Sequence, residues 1–352
     1  MPTFDLARLL GTELPLIQAP MAGVQGSALV IAVAKAGALG SLPCAMLAPD
    51  AIEREIAAIR AGSDRPFNLN FFCHTPPEPD AAHEARWRER LAPYYAELGI
   101  DPAGIAVGPG RQPFSATLCD LVEPLRPPVM SFHFGLPEPQ LLARIKGWGA
   151  RVLASATTVE EGLWLQAHGA DAVIAQGLEA GGHRGHFLSD DLSQQIGLFA
   201  LLPQLVAALD VPVVAAGGIA DAAGVAAAMA LGAAGVQVGT AYMLCPEAST
   251  SALHRSALQS EAARHTALTR LFTGRPARGI VNRVMRELGP MSPDAPAFPL
   301  ATAAIAPLRA KAEAAGSGDF TPLWSGQNAA GCRPLPAAEL TRGLAEGFGA
   351  HG

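Results

Sequence analysis

Residues 211–244, VPVVAAGGIADAAGVAAAMALGAAGVQVGTAYML, decide the fold. The run VPVVAAGGIAD (211–221) is apolar enough for a strand covered on both faces, and it stops at the paired glycines Gly217 and Gly218. AAGVAAAMALGA then reads as a helix, and GVQVGTAYML (235–244) as the next strand, ending in Gly239 and Thr240. Strand, turn, helix and strand in so short a span make a βα unit, which belongs to a parallel sheet.

The same alternation runs through the rest of the chain. It opens with LPLIQAPM (14–21), a helix starting near Ser27, ALGSLP from residue 38 and a helix over about 49–61. FNLNFF (67–72), PPVMSFHFGLPEP (127–139) and RVLASATT (151–158) follow, and then a strand from residue 171 and a helix over about 195–209. Strands near residues 14, 38, 67, 128, 151, 171, 212 and 235 number eight, so the α/β chain is expected to close as a (β/α)8 barrel. An open doubly wound sheet fits less well, because no GxGxxG follows the first strand. Residues 79–98, with Trp87, Tyr94 and Tyr95, read as an inserted surface helix. Composition shifts again over 249–317, which reads as a helical lid or side domain, leaving 1–248 plus 318–352 to the barrel.

Length, charge and cysteine usage narrow the class. A chain of 352 residues with 37 glycines and half its residues hydrophobic suits a barrel enzyme with an appended lid. Net charge is −6, and the 25 basic residues form no stripe, so neither nucleic acid nor an anionic membrane is an expected partner. Five scattered cysteines, without a CxxC pair or metal-ligand spacing, read as reduced thiols in a cytoplasmic protein that holds no metal. No secretory h-region opens the sequence and no segment reads as a transmembrane helix.

Chemistry concentrates at strand ends, where barrels build their sites. DAVIAQGLEAGGHRGHF (171–187) runs from an apolar strand into Gln176, the glycines 177, 181 and 182, and His183. That combination points to a ligand wall, against the plainer reading of a solvated loop. His133 closes another strand and faces either the same pocket or a phenylalanine-lined core. Asn70 sits in mid-strand and needs a partner, from a polar ligand or from a neighbouring strand. The glycines at 217–218 and 239, with Thr240, suit a phosphate, because bare backbone N–H groups can surround an anion. Ser325 and Gln327, in the turn after Trp324, are explained equally by ligand contact and by loop packing.

Taken together, QAPMAGV (18–24), NLNFFCH (68–74), SFHFGLP (131–137), QGLEAGGHRG (176–185), AAGGI (215–219) and QVGTAY (237–242) resemble the nitronate monooxygenase family, in particular its class I bacterial members. The resemblance spans most of the barrel. It implies a non-covalent FMN and the O2-dependent oxidation of a nitronate, propionate 3-nitronate being the family expectation, to an aldehyde or keto product and nitrite. Carried over by position, Met21 and Ala22 would lie against the isoalloxazine. Asn70 and Gln176 would bond its polar edge or the ribityl chain, and Gly181, Gly218, Gln237, Gly239 and Thr240 would hold the phosphate end, with Ser325 and Gln327 nearby. His183 would be the catalytic histidine, titrating near neutrality as a base or, protonated, holding the nitronate; His133 would line the substrate pocket beside it. Family lids place aromatics near the substrate, whereas APAFPLATAA (295–304) offers only Phe298. Two further readings remain open at this level: an NAD(P)H-dependent FMN barrel reductase acting on an enoyl thioester or a quinone, and a flavin-binding protein without turnover. A barrel for a phosphorylated metabolite without flavin fits least. Oligomeric state is not legible.

Overall fold

In the computed structural model, which describes residues 4–105 and 111–349, the apolar runs become strands β1 (Leu16–Gln18), β2 (Gly40–Pro43), β3 (Phe67–Phe72), β4 (Val129–His133), β5 (Arg151–Ala156) and β6 (Ala172–Gln176). After a two-residue strand β7 (Gly182–His183) outside the barrel come β8 (Val213–Ala216) and β9 (Gly235–Val238). The eight barrel strands are parallel, in the order β1-β9-β8-β6-β5-β4-β3-β2. Ile17 bridges Leu39 to join the two ends, so the expected (β/α)8 barrel closes. The first and last strands are shorter than the sequence suggested: β9 ends at Val238, and Thr240–Leu244 turn into a 3-10 helix.

Side chains alternate across each strand, and this period sets what faces the barrel axis. In β3, Phe67, Leu69 and Phe71 pack outward against the helices, whereas Asn68, Asn70 and Phe72 take the other face. Leu6 and Leu10, on a helix capped by the Asp5 carboxylate, join Ile17, Val129, Leu153 and Val214 in an inner apolar cluster. Burying each of those two leucines contributes about 2 kcal/mol. They close the end of the barrel opposite the strand C-termini, and the polar layer lies on the other side.

The 249–317 segment combines helices such as Ala301–Ala314 with a hairpin that sequence reading did not resolve, β10 (Thr266–Thr269) and β11 (Ala277–Ile280). The helix expected on the surface, Ala81–Leu98, instead buries Trp87, Tyr94 and Tyr95 against this segment. Trp87 donates to the Ala301 carbonyl at 3.3 Å and Tyr95 to that of Ala304 at 2.6 Å. No helix among the described residues is long and apolar enough to cross a membrane.

Candidate active site

One deep cavity opens at the C-terminal ends of the barrel strands and extends beneath the side segment. Met21, Ala22, Asn70, His133, Gln176, Gly181, His183, Gly218, Gln237, Gly239, Thr240 and Ser325 all line it. Gln327 does not: its side chain is exposed, and its backbone N–H bonds the Glu179 carbonyl at 2.9 Å. The next residue, Asn328, lines the cavity instead and donates to the Gly218 carbonyl at 2.8 Å.

The His183 loop is held from three sides. Gln176 donates from Nε2 to the His183 carbonyl at 2.9 Å and accepts from the Gly185 N–H at 2.7 Å. Below it, Arg184 is fully buried and donates to the carbonyls of Gln176 and Gly177 and to Gln195 Oε1. Arg184 is therefore a clamp on the loop. From above, β11 pairs with β7, setting Ala277 opposite His183 and Arg278 opposite Gly182. A histidine on a glycine-rich loop thus acquires a fixed backbone.

His133 completes that support. Its Nε2 lies 3.1 Å from the His183 carbonyl, which only accepts, so Nε2 carries the hydrogen. Nδ1 then accepts from the Ser155 hydroxyl at 3.1 Å. With both nitrogens engaged, burial drives the His133 pKa down to about 3, although its bond to the His183 carbonyl opposes the shift. His133 is therefore a wall residue that favours the neutral form.

His183 is also held neutral, which corrects the expectation of a group titrating near pH 7. Burial pushes its pKa well below the ordinary histidine value, and the charge of Arg111 adds to the shift. Its Nε2 lies 3.0 Å from Thr273 Oγ1, a hydroxyl that itself donates to the Arg275 carbonyl at 3.4 Å. Nε2–H is therefore the donor, and Nδ1 keeps the basic lone pair. Around the ring stand Phe298 at 5.4 Å, Trp324 at 5.6 Å, and Phe72 and Phe134 at 6.2 Å each. Phe298 thus reaches the place at which the sequence suggested a lid aromatic.

Across the mouth, the ends of β8 and β9 leave bare backbone. Gly217 and Gly218 have φ of 120° and 72°, a region that side-chain-bearing residues rarely adopt. A Cβ on Gly181 would fall 2.5 Å from Gly326 N and 2.6 Å from Ser325 C, so only glycine lets these two loops meet. Thr240 Oγ1 accepts from the Gly326 N–H at 3.0 Å, tying the β9 end to the same turn. Asn70 donates to the carbonyl and hydroxyl of Ser131 on the adjacent strand, at 3.2 and 3.0 Å, which is the neighbouring-strand partner that the sequence left open. Gln237 Oε1 is different: it is buried in the cavity wall with no hydrogen-bond partner. An orphaned acceptor beside a glycine cradle fits a polar ligand that donates to it.

Some lining residues were not singled out from sequence. Phe72 and Ser155 continue the alternation of inward positions in β3 and β5, a signal that was readable. Arg111, in the wall, and Thr273, behind His183, lie in irregular segments with no local pattern to mark them.

Comparison with known proteins agrees with this architecture. The family model described as nitronate monooxygenase matches residues 5–347. The nitronate monooxygenase of Pseudomonas aeruginosa is 45% identical over 349 residues, covering 98% of this chain and 99% of that protein. That of Paraburkholderia phytofirmans is 45% identical over 345 residues, covering 96% and 93%. A solved structure of nitroalkane oxidase from Streptomyces ansochromogenes superposes with a TM-score of 0.88 at 39% identity, covering 99% of this chain and 100% of that one.

Proposed function

We propose, from the premise that this chain belongs to the nitronate monooxygenase family, that it binds FMN in the barrel cavity and oxidises alkyl nitronates with O2 to an aldehyde or keto product and nitrite. Propionate 3-nitronate is the expected substrate. The observation that carries this reading is the single cavity joining a fixed, neutral His183 to the glycine-lined ends of β8 and β9, with the unpaired Gln237 Oε1 in its wall.

In this reading Met21 and Ala22 lie against the flavin ring. Asn70 and the second hydrogen of the Gln176 amide serve its polar edge or ribityl chain. Gly181, Gly218, Gly239 and Thr240 surround the phosphate end, Gln237 accepts from the ligand, and Ser325 with Asn328 takes the place given to Gln327. Bound FMN supplies the electron acceptor, and the protein supplies binding and orientation.

His183 is the residue assigned to the substrate. A neutral imidazole whose Nε2–H is tied to Thr273 can receive a proton only at Nδ1. That suits removal of an α-proton from a nitroalkane. For a substrate arriving as the nitronate, the same ring bounds and orients it, and an anion placed beside the imidazole raises its pKa. His133, saturated by Ser155 and the His183 carbonyl, shapes the pocket and transfers no proton. The aromatic rings around His183 exclude water from the reacting carbon.

The test is a visible spectrum of the purified protein followed by anaerobic mixing with propionate 3-nitronate and, separately, with NADH and NADPH. Flavin bands that change with the nitronate and not with the nicotinamides are expected. Reduction by a nicotinamide alone would replace this reading with the reductase one.

A further inference from the structure

Among the described residues, the cavity wall contains a single formally charged side chain, Arg111. No carboxylate lies within ion-pair distance of it among the described residues. The remaining residues, 1–3, 106–110 and 350–352, include no Asp or Glu. Its guanidinium rests on neutral groups: Thr302 Oγ1 at 3.4 Å, Met46 Sδ at 4.0 Å and the Phe298 ring at 5.5 Å. Those contacts leave most of its five N–H donors without a partner among the described residues. Burial, and then the charge of Arg309, lower its pKa, so the cation pays a desolvation penalty that no Asp or Glu side chain offsets.

Its position separates it from the glycine cradle. The Phe114 N–H bonds the Phe72 carbonyl at 2.7 Å and His74 bonds the Arg111 carbonyl at 3.0 Å, fixing this segment beside the end of β3. In the barrel order β3 lies across the mouth from β8, whose end carries Gly217 and Gly218. Arg111 is thus not the counter-charge for a phosphate held there. It faces His183 instead: the Phe298 ring lies 5.5 Å from the guanidinium and 5.4 Å from the imidazole, so both flank one ring. A substrate lying against that ring has both the imidazole and the guanidinium beside it, so a carboxylate on its tail meets a cation.

We infer that Arg111 is a specificity-determining residue whose guanidinium binds a carboxylate at the far end of the substrate. The inference rests on the nitronate reading above and adds to it the residue that holds the substrate tail. Arg presents a planar fork that matches a carboxylate in two-point contact.

The experiment compares propionate 3-nitronate with propyl-1-nitronate, equal in chain length and lacking the carboxylate, on the FMN-loaded wild type, Arg111→Gln and Arg111→Lys. A charge-assisted contact of this kind is expected to make KM for propionate 3-nitronate rise about 10- to 100-fold in Arg111→Gln, with kcat nearly unchanged. Propyl-1-nitronate, an anion without the carboxylate, is expected to lose far less than propionate 3-nitronate, and Arg111→Lys recovers part of the loss. Equal losses for both substrates, or no change for either, would overturn the inference. Calorimetric titration of 3-nitropropionate and 1-nitropropane into the same three proteins separates this from the nitronate reading. If the wild type oxidises neither nitronate, the function fails, yet Arg111 is still tested: weaker 3-nitropropionate binding in Arg111→Gln alone supports it, and equal affinity in all three refutes it.

Discussion

Lowering the pH from 7.5 to 5.5 should destabilise this protein through its buried histidines, and His254 isolates the effect. His254 is buried, and its Nε2 donates to the Trp324 carbonyl at 3.0 Å, supporting the turn that carries Ser325 into the cavity. Burial lowers its pKa from 6.5 to about 4, against the opposing bond to Trp324. The sign follows from proton counts: between those two values the unfolded chain binds a proton that the folded one refuses, so stability is lost as pH falls below 6.5. At pH 5.5 the unfolded form is mostly protonated and the folded form almost not at all, which gives a loss on the order of 1 kcal/mol, whereas at pH 7.5 almost none is lost. His74 and His186, buried and each lowered to about 4, behave alike. Together the three are worth on the order of a few kcal/mol at pH 5.5. Glutamine at 254 can donate the same bond without titrating. Urea unfolding of wild type and His254→Gln at both pH values, under identical ligand conditions, should show the wild type losing about 1 kcal/mol more than the variant. Identical pH slopes would refute the claim that this histidine is held neutral.

Three substitutions test the cavity in other ways. His183→Ala should retain flavin and slow nitronate oxidation by an order of magnitude or more, as measured by oxygen uptake; full turnover would remove His183 from the mechanism. Gly181→Ala puts a Cβ 2.5 Å from Gly326 N, so backbone must shift, and a loss of about 1–3 kcal/mol in thermal stability together with weaker FMN binding is expected. Gln237→Leu should move two quantities in opposite directions, since it removes an acceptor that has no partner among the described residues and is needed by the ligand. The flavin-free protein gains about 1 kcal/mol on melting while FMN affinity falls about tenfold, and a change of both in one direction would argue that Oε1 does not face the cofactor.

Legibility in the sequence followed the range of the forces involved. Alternation and glycine punctuation are local, so the eight barrel strands, the glycine ends of β8 and β9 and the His183 loop could be read from a few residues at a time. The strand β7 and its partner β11 could not, because the pairing of His183 with Ala277 joins positions ninety-four residues apart and neither segment alternates for long enough to announce a strand. The protonation of His183 escaped for a related reason. Its ordinary pKa belongs to a solvated imidazole, and only the assembled fold surrounds it with Phe72, Phe134, Phe298 and Trp324. Gln327 was chosen and Asn328 passed over within one turn, where both side chains are exposed and only Asn328 reaches the Gly218 carbonyl. Arg111 is the extreme case. An arginine is ordinary in any sequence; what makes this one informative is a lining without carboxylates, and that is a property of residues gathered from every strand end of the barrel. With burial lowering both His133 and His183, Arg111 in the lining and Arg275 behind the Phe134 ring leave the cavity positive, and an anionic substrate is the partner that suits the arrangement.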